Sequence, residues 1–183
     1  MKKLFLILGL IVALTLIGPG QPGAWEIDSS KVFVNATGFV ALPTLDGAGT
    51  YDYNLGFQIE GHYRLGEKFS MGATYKDWRL DDESNSQILT TEFKAGIFTY
   101  WVNPYGSLFN LGWVCELGQA KTVSEEGISK NLGIIAGVTL QRYIYENIYC
   151  VGTVKVGKLG EPKGDNLPEQ ECLLISVGIG TAF

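Results

Sequence analysis

The sequence predicts an all-β chain, an eight-stranded antiparallel up-and-down transmembrane β-barrel. Three observations predict it. From Lys31 to Phe183 apolar residues recur at every second position, a period of two and not of 3.6. The polar positions between them hold mostly Gly, Ser, Thr, Asn and Gln, where a soluble sheet would carry Lys and Glu. The connections alternate between short turns and longer polar loops, the pattern of barrels with one trimmed rim and one elaborated rim.

Composition excludes several alternatives. The chain has 183 residues, 46% hydrophobic and 18% charged, with 24 glycines, which is the opposite of a disordered chain. The formal charge of −5, with no cluster of Lys or Arg, speaks against a nucleic-acid partner. Lys2 and Lys3 precede an apolar run from Leu4 to Ile17 and then Gly18-Pro19-Gly20. A basic start, a short apolar core and small residues describe a signal peptide over residues 1–20, cleaved between 20 and 24, ahead of a barrel domain over 25–183. No later apolar stretch reaches the roughly 20 residues of a membrane helix, and no cysteine stands at the boundary as in a lipoprotein. Cys115, Cys150 and Cys172 lie too far apart for a disulfide framework or a metal site by spacing, and none is expected to be essential.

Eight strands are expected at about 31–42, 50–64, 69–80, 87–101, 107–120, 130–143, 148–158 and 172–183. In the second, Tyr51, Tyr53, Leu55, Phe57, Ile59 and Tyr63 share one face, and Asp52, Asn54, Gln58, Glu60 and His62 the other. In the third, Phe69, Met71, Ala73 and Tyr75 oppose Ser70, Gly72, Thr74 and Lys76. In the fourth, Leu89, Phe93, Ala95, Ile97 and Trp101 are read as the apolar face, against Glu92, Lys94 and Gly96. The fifth sets Phe109, Leu111, Trp113, Cys115 and Leu117 against Asn110, Gly112 and Glu116. The sixth sets Leu132, Ile134, Ala136, Val138 and Leu140 against Asn131, Gly133, Gly137, Thr139 and Gln141. The first and seventh place Asn35, Thr37 and Lys155 inside, with Val32, Val34, Val154 and Val156 outside. Tight turns are expected at Gly66-Glu67-Lys68, around Asn103-Pro104-Tyr105 and at Glu146-Asn147, and loops at 43–49, 81–86, 121–129 and 159–171.

A soluble barrel of the lipocalin kind also alternates, but with its apolar side turned to the cavity. Here the sparsely charged polar faces suit a narrow lumen. Aromatic residues gather near strand ends, with Tyr51 and Tyr53 at one rim and Tyr63, Phe69, Trp101, Tyr145 and Tyr149 at the other, as rings with polar tips do at a headgroup boundary. The last segment alternates Leu173, Ile175, Val177, Ile179, Thr181 and Phe183 with Leu174, Ser176, Gly178, Gly180 and Ala182. A final strand of this pattern ending on Phe resembles the signal read by the outer-membrane assembly machinery. With the signal peptide and the strand count, residues 25–183 resemble the small outer-membrane barrels of the opacity-protein, OmpX-like and OmpA-barrel group. The resemblance implies an integral outer-membrane location, contact with outer-membrane lipids and lipopolysaccharide, and a structural or surface-interaction role. It carries over Phe183, Thr181, Ile179, Val177 and Ile175 as the assembly signal.

Candidate chemistry is confined to the lumen. The face assignment puts Glu60, His62, Lys76, Glu92, Lys94, Glu116 and Lys155 inside, and isolated charges there would cost several kcal/mol each, so a paired network is expected. An eight-stranded barrel holds side chains but hardly a water-filled channel. His62 is the single histidine. Eight-stranded lipid A deacylase and palmitoyl-transferase barrels use a His with a Ser and an acid, and Ser70 and Glu60 lie near enough in sequence to consider. Neither family's motif surrounds Glu60-Gly61-His62-Tyr63, so an ordinary lumen histidine is expected, with no catalytic residue, cofactor or metal. Asp46, Asp81-Asp82-Glu83, Glu125-Glu126, Glu161, Asp165, Glu169 and Glu171 make acidic outer loops, open to an extracellular ligand but without a spaced calcium motif. A monomer is expected. A narrow pore and a lipid A-modifying enzyme are the alternative readings.

Overall fold

The computed structural model describes residues 31–43, 54–82, 87–102, 109–124, 127–145, 147–159 and 170–183. Among these, eight strands run β1 (Val32–Pro43), β2 (Asn54–Arg64), β3 (Phe69–Asp82), β4 (Gln87–Trp101), β5 (Asn110–Ser124), β6 (Gly127–Tyr145), β7 (Ile148–Leu159) and β8 (Gln170–Ala182). Each pairs antiparallel with its neighbours in sequence, and β8 pairs with β1 to close the barrel. The expected signal peptide, Tyr51 to Tyr53 and the turn at 103–105 lie outside the described residues.

Closure is completed at the termini. Val32 N and Lys31 N donate to Phe183 O at 3.2 and 2.8 Å, and Phe183 N donates to Val32 O at 2.8 Å. The first and last described residues therefore meet at one rim, together with the turns at 65–68 and 147, while the strand ends Pro43, Asn54, Asp82, Gln87, Ser124, Gly127, Leu159 and Gln170 lie at the other. We call these the termini rim and the loop rim. Following paired residues from Trp101 through Gly112, Thr139, Thr153, Ser176, Phe39, Gly56 and Trp78 leads back to β4 at Thr91, ten residues along the same strand. A stagger of this kind in eight strands goes with a tilt of about 40° and an interior just wide enough for side chains.

The apolar side chains face outward. Leu55, Phe57, Ile59, Met71, Trp113, Leu117, Leu132, Ile134 and Ile179 are all exposed, at 48 to 76%. A water-soluble protein does not normally present an apolar surface of this extent. The faces assigned from sequence hold for β2, β3, β5 and β6, and for the positions assigned on β1 and β7, wherever side chains are described.

Three expectations need correction. On β4 the faces are reversed: Phe93, Ala95, Ile97 and Trp101 are buried inside, and Glu92 and Lys94 lie on the outer face with Phe98 and Tyr100. The reason is that the interior itself has apolar zones. Phe93 sits against Gly133, and Trp101 lies across Gly112 and donates its indole N–H to Ser70 Oγ at 3.1 Å. Second, Trp101 and Tyr149 do not belong to the outer aromatic girdle; both are buried in the lumen. Tyr63, Phe69 and Tyr145 do face out, and Phe69 stacks on Phe98 and Tyr100 with centroids 5.7 and 5.2 Å apart. Third, residues 121–129 are not a long loop. The ladder continues to Ser124 and resumes at Gly127, because Thr122, Val123 and Ile128 are β-branched and keep the alternation. Gly127 has φ 149°, a backbone region that side chains with a Cβ rarely adopt, so the glycine permits the hairpin.

Large interior rings rest on glycines. Tyr149, fully buried, covers Gly180 on the neighbouring strand, and a Cβ there would collide with the ring. Replacing Gly180 with Leu is therefore expected to destabilise the barrel by about 1–3 kcal/mol through overpacking. Urea unfolding of vesicle-refolded protein measures this, and adding Tyr149→Ala to Gly180→Leu should recover part of the loss.

Candidate functional site in the barrel lumen

The inward residues form three layers. On β1 they read Phe33, Asn35, Thr37, Phe39, Ala41, and on β7 Tyr149, Val151, Thr153, Lys155, Gly157, Leu159, going from the termini rim to the loop rim. On these two strands apolar residues come first, then polar ones, then apolar ones again. At the loop rim Phe39, Trp78, Phe93, Ile135, Leu159 and Leu174 pack into one buried cluster, with Phe39 edge-on to Trp78 at 5.9 Å. At the termini rim Phe33, Tyr149, Val151 and Ala182 form a second cluster, with Tyr143 against it.

Between these layers stand four charges from four strands. Lys155 Nζ donates to Glu60 Oε1 and to Glu116 Oε1, both at 2.7 Å. Lys76 Nζ donates to Glu116 Oε2 at 2.6 Å and to Thr74 Oγ1 at 3.1 Å, and lies 3.9 Å from Glu60 Oε1. Two carboxylates and two ammonium groups therefore form a closed, neutral ring with side chains no more than 4% exposed. The remaining oxygen of Glu60 accepts from Asn35 Nδ2 at 3.2 Å and lies 3.3 Å from His62 Nε2. Such pairing offsets the desolvation that would otherwise expel these groups from the interior.

Of the seven residues placed inside from sequence, the structure brings together Glu60, His62, Lys76, Glu116 and Lys155. It does not bring in Glu92 or Lys94. Those two lie 3.8 Å from each other on the outer surface, with Lys94 5.7 Å from the centroid of Tyr75. The sequence held the corrective signal: Thr91 and Thr99 alternate with Glu92 and Lys94 on the face of Phe93, while Phe98 and Tyr100 share the charged face.

The residues considered as a triad are not arranged as one. Ser70 Oγ accepts from Trp101, and His62 faces Glu60 through Nε2 while its Nδ1 has no hydrogen-bond partner among the described residues. Asn35 Oδ1, Thr37 Oγ1, Gln58 Nε2 and Thr99 Oγ1 are also buried without a partner there. Cys115 faces outward, Cys150 is half-buried, Cys172 sits in the loop-rim cluster, and all three are free thiols. Of the acidic loop residues, Glu171 lies on β8, 3.4 Å from Lys158; Asp81 and Asp82 are in β3, and the others fall outside the described residues.

The Neisserial surface protein A superposes with a TM-score of 0.57 at 14% identity, covering 83% of this chain and 97% of that one. The outer-membrane protein OprG of Pseudomonas aeruginosa gives 0.59 at 12% identity over 84% and 96% of the two chains. Ail, the attachment invasion locus protein of Yersinia pestis, gives 0.52 at 14% identity over 84% and 97%. The fold is that of the small eight-stranded outer-membrane barrels. No protein-family model and no curated protein matches the chain.

The ring makes a specific energetic prediction. Glu116→Ala leaves two lysines facing one carboxylate and is expected to cost about 3–5 kcal/mol, as for any broken buried pair. The double variant Lys76→Met/Glu116→Leu keeps the neutral Glu60–Lys155 pair and should cost markedly less than the single substitution. Urea titration in vesicles checks the order, which reverses if the charges are not coupled.

Proposed function

We propose that this chain is an integral barrel of the bacterial outer membrane with a sealed lumen, and that its role is structural or one of surface interaction through the loop rim. One observation carries the reading: the outer surface is apolar while the interior is occupied by a neutral charge ring between two apolar layers. An apolar exterior meets hydrocarbon, and a closed ladder leaves no strand edge there without partners.

The same packing argues against a pore. An ion would have to pass Phe39, Trp78 and Phe93 at one end and Phe33 and Tyr149 at the other, and displace the ammonium–carboxylate contacts between. It also argues against lipid chemistry, because Ser70 and His62 are enclosed and each is engaged by another partner. The name of the Yersinia neighbour, an attachment and invasion protein, is compatible with surface contact through the loops. Residues 1–20 serve in this reading as the secretion signal. The row Ile175, Val177, Ile179, Thr181 and Phe183 serves as the assembly signal, lying along the segment that closes the barrel.

Cell fractionation with gel mobility before and after boiling tests the location: recovery in the outer membrane and a shift on boiling are expected. Planar bilayers should carry no discrete conductance steps, and steady unitary steps would overturn the sealed lumen. Lipid A exposed to the wild type and to His62→Ala should show identical mass profiles; a mass change with the wild type alone would overturn the non-enzymatic role.

A further inference from the structure

β1 and β8 close the barrel, and of the paired strands they alone are not consecutive in the chain. No hairpin therefore limits their separation. At its two ends this seam is packed: Phe33 stands opposite Ala182 in the termini-rim cluster, and Ala41 opposite Leu174 in the loop-rim cluster. The middle is different. Asn35 and Thr37 of β1 are opposite Gly180 and Gly178 of β8, so β8 offers them no side chain. The cross-strand side-chain contact that ordinarily stabilises a sheet is missing there. The polar side chains nearby bond away from the seam. Asn35 Nδ2 donates to Glu60 on β2 at 3.2 Å, and Ser176 Oγ of β8 lies 2.7 Å from Thr153 Oγ1 of β7. Thr37 Oγ1 is buried without a partner among the described residues.

What spans this gap comes from β7. The ring of Tyr149 lies over Gly180, and its hydroxyl donates to Val34 O of β1 at 3.4 Å. Lys155 Nζ donates to Glu60 Oε1 of β2 at 2.7 Å, with β8 and β1 lying between the two strands it joins. Both side chains thus start on one side of the seam and end on the other. The Lys76–Glu116 bond of the same ring, at 2.6 Å, joins β3 to β5 and does not cross the seam. An ionic hydrogen bond is stronger than a neutral one, and the burial of Lys155 and Glu60 keeps solvent from weakening it.

We propose that Lys155 and Tyr149 form an internal latch over the β1–β8 seam, and that the Lys155–Glu60 bond sets whether the barrel opens sideways there. With the latch in place the seam is as well protected as the hairpin-linked strand pairs. Without it, β1 and β8 are the first to part, and the polar middle of the lumen opens to the side.

Amide hydrogen exchange of the whole chain, folded in detergent micelles and read by NMR, tests this. Two neutral double variants are compared with wild type. Lys155→Met/Glu60→Gln removes the latch and keeps the Lys76–Glu116 pair, whereas Lys76→Met/Glu116→Gln keeps the latch and removes the other pair. In the first, the β1–β8 ladder amides should exchange roughly tenfold faster than in wild type, with the β3–β4 amides unchanged. In the second, the seam should not be singled out. Tyr149→Phe keeps the ring over Gly180 and loses only the hydroxyl, and should accelerate the seam roughly threefold. Equal acceleration of seam and β3–β4 amides in the first variant, or a seam effect of the same size in the second, would overturn the latch. Should the first variant fail to fold, Tyr149→Phe decides: acceleration confined to the seam supports the latch, and exchange equal to wild type removes it.

Discussion

Hydrocarbon offers no hydrogen bonds, so a chain that crosses it in strands must pair every backbone group with another strand. That constraint requires closure, and closure here depends on β8 returning to β1, with Phe183 just beyond it bonded to Val32 and Lys31. Once the sheet is a cylinder of eight strands, its two faces have separate duties. The outward face must be apolar over its middle, and the inward face must fill a narrow space without leaving voids or uncompensated charge.

The interior meets the second demand by layering. In the central layer two carboxylates and two ammonium groups neutralise one another across four strands. Apolar clusters lie toward both rims, and rings rest on glycines such as Gly180 and Gly112, where no Cβ obstructs them. Packing and electrostatics thus act together: apolar clusters flank the ring, and its neutrality makes the burial of its charges tolerable.

Much of this was legible in the sequence because a period of two survives any uncertainty about strand ends. The strand count, the closure and the faces of β2, β3, β5 and β6 all follow from alternation. Glu60, Lys76, Glu116 and Lys155 were legible because each falls on the polar face that alternation turns to the interior. What alternation could not reveal was that an inward face may itself be apolar. On β4 that ambiguity reversed the faces, drew Glu92 and Lys94 into the lumen, and left Trp101 outside. Single-strand periodicity carries no information on layering, since a layer is made by residues distant in sequence at one height in the barrel. The extent of β5 and β6 past residue 121 was hidden for a simpler reason: Ser, Glu and Gly read as a loop, although the ladder runs to Ser124 and resumes at Gly127.

The central claim is that apolar side chains meet lipid and the layered ones do not, and tryptophan fluorescence reads it directly. Trp113 is 59% exposed on the outer face, whereas Trp78 is 2% exposed within the loop-rim cluster. In vesicles with brominated acyl chains, a protein keeping only Trp113 should be strongly quenched and one keeping only Trp78 should stay bright. Strong quenching of Trp78 with Trp113 unaffected would contradict the account.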